Sequence, residues 1–220
     1  MQDRLVLHIG EKNVSSWSMR GFLAVAHKGV PFEERTISLR DDKDRSKRRE
    51  VSPTGKVPAL HHGDLVIPDS LAIVEYLEET FPPPDHPALW PADRRLRAHA
   101  RWLSAAMHSG FQAVRESMSF NLCFLPRRPQ ASPEAMAEAA EVLRLLEEPL
   151  SAHASRGGFL FGAFSAADVM YAPMVVRLTA FDVPTTGAPL AREYMARLLD
   201  FPLVRRWMDP ARALPPRETY

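Results

Sequence analysis

Residues 82–91, PPPDHPALWP, hold five prolines in ten positions. Proline fixes φ and lacks the backbone N–H, so this stretch can be neither helix interior nor central strand. It reads as a stiff linker, and the sequence changes character across it. Before it, Leu5-Val6-Leu7-His8-Ile9 is a compact apolar strand. Residues 15–28 place Met19, Phe22, Leu23 and Ala26 at helical spacing, with Gly29 closing the helix. Residues 32–39 read as a strand and 43–51 as a short polar helix. Residues 57–60 and 65–67 read as two strands joined by a turn at Gly63-Asp64. Asp69 caps a helix that turns Leu71, Ile73, Val74 and Leu77 inward and Glu75, Glu78 and Glu79 outward. The order β-α-β-α-β-β-α predicts an α/β layer with helices on both faces.

After the linker every segment reads as helix. Residues 93–120 form one long amphipathic pattern. Pro133 opens a helix reaching about residue 153, and Gly157-Gly158 breaks the chain. Ser165-Ala166-Ala167-Asp168 looks like a capping box with its acid at the third helical position. Shorter helices are expected over 188–199 and 201–208. The fold class is therefore α/β plus all-α: a domain over 1–81, the linker 82–91, and a helical domain over 92–220.

Composition excludes several classes. The 220 residues are 45% hydrophobic and 25% charged, a globular mix. No run approaches the ~20 apolar residues of a membrane span, and MQDRLVLHIG reads as a strand rather than a signal peptide. A net charge of +1 leaves no electrostatic footprint for nucleic acid. The mixed run at residues 40–50, RDDKDRSKRRE, fits a solvated helix face better than an anion patch. The single cysteine, Cys123, cannot pair internally, which makes a reducing cytoplasm the default, and it reads as a small buried hydrophobe. The eight histidines form no chelating array, and His61 and His62 point to opposite strand faces. No metal and no nucleotide cofactor is expected.

Three local signals carry chemistry. Ser15-Ser16 places two hydroxyls where the first strand feeds the first helix, a position that stabilises an anion and that equally suits a plain N-cap. Val57-Pro58 stands at the mouth of a strand. A cis bond there would present the Val57 N–H and C=O to an extended peptide, and a trans edge proline would not. Asp69-Ser70 opens the third helix and could take the carboxylate and ammonium of an amino-acid ligand, or could simply cap.

Jointly these signals resemble a known family. The Ser15-Ser16 pair, Thr54-Gly55-Lys56-Val57-Pro58-Ala59-Leu60, Asp69-Ser70-Leu71-Ala72-Ile73-Val74-Glu75-Tyr76-Leu77 and Phe164-Ser165-Ala166-Ala167-Asp168 fall in register with the glutathione S-transferase superfamily. The likeness covers nearly the whole chain and is closest to the serine-type, zeta-like bacterial branch that includes maleylacetoacetate isomerases. It implies a thioredoxin-like first domain that binds glutathione as co-substrate, through Trp17, Lys56, Val57, Pro58, Asp69 and Ser70. It implies Ser15 or Ser16 at the thiol and a helical domain that walls the second substrate. It also implies a homodimer, and a role in detoxification. Within the long helix, Met107, Phe111 and Arg115 share one face at i, i+4, i+8 spacing and, with His108, form the expected wall; a core stripe ending in Arg115 is the other reading.

Two positions depart from the zeta pattern: Trp17 stands where it has cysteine, and Phe22 where its helix has a second arginine. Without that thiol, glutaredoxin-like redox work is not expected. Both replacements predict a pocket rich in apolar surface. The leading expectation is conjugation of the glutathione thiolate to small electrophiles. The alternatives are cis–trans isomerisation of a maleyl-type diacid, served by Arg20 and Arg115, and a non-catalytic binding module. Lowering a thiol pKa by ~2 from about 8.5 raises the thiolate fraction about 25-fold at pH 7. Reduced nucleophilicity returns about 8-fold of that. Ionisation alone therefore gives a few-fold, and orientation against the helical wall must supply the rest.

Overall fold

A computed structural model describes residues 4–39, 43–153 and 156–217, with side chains of 43 and 44 excluded. The first three residues of the charged run, 40–42, lie outside the described residues. Leu5–Ile9 (β1), Phe32–Thr36 (β2), Ala59–His62 (β3) and Leu65–Ile67 (β4) form one sheet in the order β2-β1-β3-β4. β1 runs parallel to β2 and antiparallel to β3, and β3 is antiparallel to β4. Ser16–Lys28 (α1), Lys43–Val51 (α2) and Ser70–Thr80 (α3) complete the expected β-α-β-α-β-β-α order. Leu5, Leu7 and Ile9 point to the face that α1 covers, where Gly21 approaches Leu7. His8 and His61 share the opposite face, where the His61 ring donates to the carbonyl of Val51 at the end of α2. Gly29 ends α1 in the left-handed region at φ 68°, which a residue with a Cβ adopts only under strain.

Three expectations are corrected. β2 stops at Thr36 rather than at 39, although the Ile37 N–H still reaches the Ile9 carbonyl. β3 starts at Ala59, so Val57 and Pro58 lie in the turn before it, joined by a cis bond. Glu75 and Glu78 are only partly turned to solvent. Glu78 accepts from the fully buried Lys28 ammonium at 2.5 Å and from the Leu89 N–H at 2.9 Å, while Glu75 accepts from the Trp90 indole at 3.2 Å. The proline-rich linker is thus anchored on α3, with Leu89 and Trp90 buried.

The helical half comprises Arg94–Ser109 (α4), Gln112–Ser117 (α5), a 3-10 turn at Phe120–Phe124, Pro133–His153 (α6), Ala166–Ala180 (α7), Pro189–Asp200 (α8) and Pro202–Ala213 (α9). The single helix expected over 93–120 is broken. Gly110 ends α4 in extended backbone, where a Cβ would lie 2.9 Å from the Ala106 carbonyl oxygen, and Phe111 turns left-handed at φ 63°. α7 is apolar nearly all round, as a helix must be when it runs through a core. It packs against α1, α4 and α8. At its start, Asp168 accepts from the Ser165 N–H and hydroxyl, both at 2.8 Å, and from the Leu160 N–H at 3.2 Å. One continuous hydrophobic cluster runs from β1 to α9. Among the described residues, no helix is long and apolar enough to cross a membrane.

Candidate active site

α1 and α3 begin at the same cleft, and each begins with a serine. Ser15 is the N-cap of α1 and Ser16 its first helical residue; Asp69 is the N-cap of α3 and Ser70 its first. Helix N-termini present unpaired N–H groups and partial positive charge. The turn holding Lys56, Val57 and Pro58 closes the third side. The helical half adds His108 from α4, Arg115 from α5 and Arg177 from α7. The volume is about 600 Å³, within the ~300–1,000 Å³ usual for small-molecule sites.

Each cap is built by short-range bonding. Asp69 Oδ1 accepts from the N–H groups of Leu71 at 2.8 Å and Ala72 at 2.9 Å. Its second oxygen lies 3.3 Å from His108 Nε2. Burial holds the His108 pKa below its ordinary value; Asp69 pulls it upward, and Arg20 and Arg115 push it down. The contact is a polar approach of the two side chains that joins the two halves of the molecule across the cleft. The Ser70 hydroxyl is buried and has no partner among the described residues. Such an oxygen costs free energy until something bonds it, which marks it as a place for a ligand.

Cations stand in and behind the far wall, Arg115 lining the cleft and Arg20 buried behind it. The Arg20 guanidinium sits 4.4 Å from the Trp17 ring and that of Arg115 sits 5.0 Å from it, with the His108 ring edge-on at 5.1 Å. Arg115 closes the end of α4 by donating to the carbonyls of Gly110 and Met107. Burial and the nearby Arg177 push its pKa down to about 10, with Glu138 opposing. Arg20 is fully enclosed, donates to the Met170 carbonyl at 3.1 Å, and has its pKa lowered by burial and by Arg115 and Arg177. Buried charges of one sign are costly unless a counter-charge is present. This wall is suited to an anion.

The cleft brings together Ser15, Ser16, Trp17, Lys56, Val57, Pro58, Asp69, Ser70, His108 and Arg115. It does not include Met107 or Phe111. Met107 is fully buried in the core, and Phe111 sits at the left-handed break and packs against that core. The i, i+4, i+8 stripe does not exist, because Arg115 belongs to a different helix. Phe22 lies elsewhere too, against Phe32 and Trp207, so it adds no apolar surface to the cleft. Cys123 also lies outside the cleft, half-buried, its thiol pKa pushed up to about 11 by burial.

Two lining arginines were not singled out from the sequence. Arg48 belongs to the charged run read as a solvated face; most of that face is exposed, but Arg48 reaches the cleft and donates to the Ser38 carbonyl at 3.0 Å. Arg177 is the sole basic residue of apolar α7, and a lone cation in a core helix is the signal that points to it. Among the described residues, no cluster of three or more His, Cys, Asp or Glu side chains is placed to hold a metal ion.

Known proteins resemble this chain. Residues 14–80 match the glutathione S-transferase N-terminal domain, and residues 129–209 match the glutathione S-transferase C-terminal domain. A probable maleylacetoacetate isomerase of Caenorhabditis elegans is 32% identical over 198 residues, 90% of this chain and 89% of that protein. A glutathione transferase homolog from Burkholderia, solved with bound glutathione, superposes with a TM-score of 0.72 at 31% identity, covering 97% of this chain and 100% of the other. The maleyl pyruvate isomerase structure, a bacterial zeta-class enzyme, gives a TM-score of 0.71 at 26% identity over 92% of this chain and 95% of its own. With both characteristic domains in order and likeness along nearly its whole length, the chain belongs to the glutathione S-transferase family.

Proposed function

We propose that the protein is a glutathione transferase that binds glutathione in this cleft and adds its thiolate to a small electrophile. The observation that carries the reading is the convergence of two serine-led helix N-termini on one cleft, with the unpartnered Ser70 hydroxyl at the second. In this reading Ser70 and the start of α3 receive the α-carboxylate of the γ-glutamyl end. Asp69 accepts from its ammonium, Val57 pairs with the extended peptide, and Lys56 lies at the rim. The thiol falls at Ser15 and Ser16, and Trp17, His108 and Arg115 meet the second substrate. A cytoplasmic homodimer belongs to the same reading, on the family resemblance and the single cysteine.

Asp69→Asn keeps a capping oxygen and removes the charge opposite the ammonium. Charge-assisted hydrogen bonds are worth roughly 1.5–3 kcal/mol, so calorimetry is expected to give a tenfold or larger loss of glutathione affinity. Unchanged affinity would remove Asp69 from the site.

A specific observation favours a second reading, glutathione-dependent isomerisation of a maleyl-type diacid. Two guanidiniums of the helical half, Arg115 and Arg177, line the cleft beside Arg48, and Phe22 does not make it apolar. A diacid needs more than one cation, and guanidinium binds carboxylate in bidentate fashion. Catalytic efficiency on a maleyl-type diacid, compared with aromatic halides and isothiocyanates, separates the two. Values of ~10⁶ M⁻¹s⁻¹ or more on the diacid alone would favour the isomerase.

A further inference from the structure

The geometry points to Trp17 as a specificity-determining residue that acts through Arg115: its ring holds a guanidinium that no acid pairs, and the cleft thereby selects electrophiles that carry a carboxylate. The inference rests on the glutathione reading of the cleft and deepens it by naming a class of second substrate.

Trp17 follows Ser16 in the first turn of α1, half-buried, and lines the cleft. Arg20 stands three residues on, a spacing that makes the two side chains neighbours on the helix surface. Its guanidinium carbon lies over the indole, 4.4 Å from the centroid. The guanidinium carbon of Arg115 reaches over the same ring from α5, at 5.0 Å. Both fall inside the ~6 Å within which an aromatic face attracts a cation, and indole attracts most strongly. A cysteine at this position offers no such face.

Among the described residues neither guanidinium is ion-paired. Arg20 donates to the Met170 carbonyl, and Arg115 to the carbonyls of Gly110 and Met107. Glu138, whose charge attracts Arg115, accepts from the Val114 N–H at 3.0 Å. Asp69 is the one acid among the described residues that line the cleft. One of its oxygens caps α3, and the other lies against His108. Arg20 and Arg115 repel one another, and the indole is the group that attracts both.

An arginine stacked on a ring keeps its in-plane N–H groups for other partners. On Arg115, Nε and Nη2 are taken by backbone carbonyls, and Nη1 is buried with no partner among the described residues. A donor left in that state costs free energy until an acceptor reaches it. A carboxylate supplies the acceptor and also the negative charge that this wall lacks. Trp17 thus does more than bound the cleft. A plain apolar wall acts alike on an acid and on its ester, whereas a ring that holds Arg115 in place favours the acid.

The test uses full-length protein, glutathione, and a matched pair of aryl chlorides: a para-chloro dinitrobenzoate and its methyl ester. In both, the thiolate attacks the chlorinated carbon, a C–S bond forms, and chloride leaves with the C–Cl electron pair. The quantity read is the ratio of kcat/KM for the acid to that for the ester, each divided by its uncatalysed rate, so that a loss common to both cancels. The wild-type ratio is expected to favour the acid by about tenfold or more, and Arg115→Gln to abolish that preference. Trp17→Leu, which keeps apolar volume and removes the π-face, is expected to lower the ratio about fivefold, through the KM of the acid. Trp17→Phe is expected to keep the ratio within about twofold. In the Arg115→Gln background Trp17→Leu is expected to add nothing. Trp17→Met serves the same comparison should the leucine variant fail to fold. Equal losses on acid and ester in Trp17→Leu, or a phenylalanine variant no better than the leucine one, overturn the role of the ring. A wild-type ratio without preference for the acid, or a further loss on adding Trp17→Leu to Arg115→Gln, overturns the inference as well. Calorimetry with glutathione runs in parallel. If Arg115→Gln weakens glutathione binding and leaves the ratio unchanged, the guanidinium serves glutathione itself and the inference fails. Absence of glutathione binding by the wild-type protein would instead overturn the underlying reading of the cleft.

Discussion

The side chain of His8 shows how a single position in the sheet couples stability to pH. It is buried on β1 against His61, and its pKa is lowered from an ordinary 6.5 to about 4 by burial first, then by His61 and Arg35, with Glu33 opposing. Because the folded chain resists the proton, the unfolded chain binds more protons between those values, and stability is lost as pH falls from 6.5 to about 4. Asp168 acts in the opposite sense: burial raises its carboxyl to about 6, so stability from that group falls as pH rises from about 4 to 6. His8→Leu isolates the first effect. Relative to that variant, the wild-type protein is expected to lose about 3 kcal/mol between pH 6.5 and 4 in chemical denaturation; parallel curves would mean that His8 stays accessible to protons. None of this was legible in the sequence, where His8 is one residue of an apolar strand and its partner lies 53 positions away. Arg177 was hidden for a related reason. A charged residue in a helix is ordinarily solvated, and only α7's position in the core gives this one a target on α1.

Helix starts proved more readable than helix interiors. Asp69 and Ser165 announce themselves because a cap is a local device, with donor and acceptor within three residues. The break at Gly110 and Phe111 was missed because a glycine inside a helical pattern is tolerated at a cost of ~1 kcal/mol. What ends α4 is the set of bonds from Arg115 to the Met107 and Gly110 carbonyls, which spacing does not display. Gly21 carries a testable consequence for α1. A Cβ there would lie 2.9 Å from Pro58 Cβ and 3.0 Å from Pro58 Cγ, so the glycine lets α1 approach the turn that forms one side of the cleft. Gly21→Ala gains about 1 kcal/mol of helix propensity and costs about 1–3 kcal/mol of overpacking. The net loss is about 0–2 kcal/mol, so the melting temperature is expected to hold or to fall by up to several degrees, while glutathione affinity drops several-fold as Val57 and Pro58 are displaced. A stabilised variant with unchanged affinity, seen in thermal melts and titration calorimetry together, would separate this contact from binding.

At the scale of the molecule the proline-rich segment marks a change in kind, with sheet and helices before it and, among the described residues, no sheet strand after it. It did not disclose that the segment itself is anchored, through Glu78, Lys28, Leu89 and Trp90, so that both halves share one core. The candidate site has the same structure. The side proposed for glutathione, Ser15, Ser16, Val57, Asp69 and Ser70, comes from local motifs in the first half, and the structure gathers those residues in one cleft. Its proposed second-substrate side comes from three helices of separate origin in the sequence, α4, α5 and α7, which is why Met107 and Phe111 were expected there and Arg177 was not. The cleft therefore joins a nucleophile-binding half to a cation-bearing half, and glutathione should lie along their boundary. A crystal structure of the wild-type protein with glutathione tests this most directly. The account places the sulfur within hydrogen-bonding reach of the Ser15 or Ser16 hydroxyl and the γ-glutamyl carboxylate on Ser70 at the start of α3. A ligand seated outside the cleft, or one with its sulfur on neither serine, would contradict it.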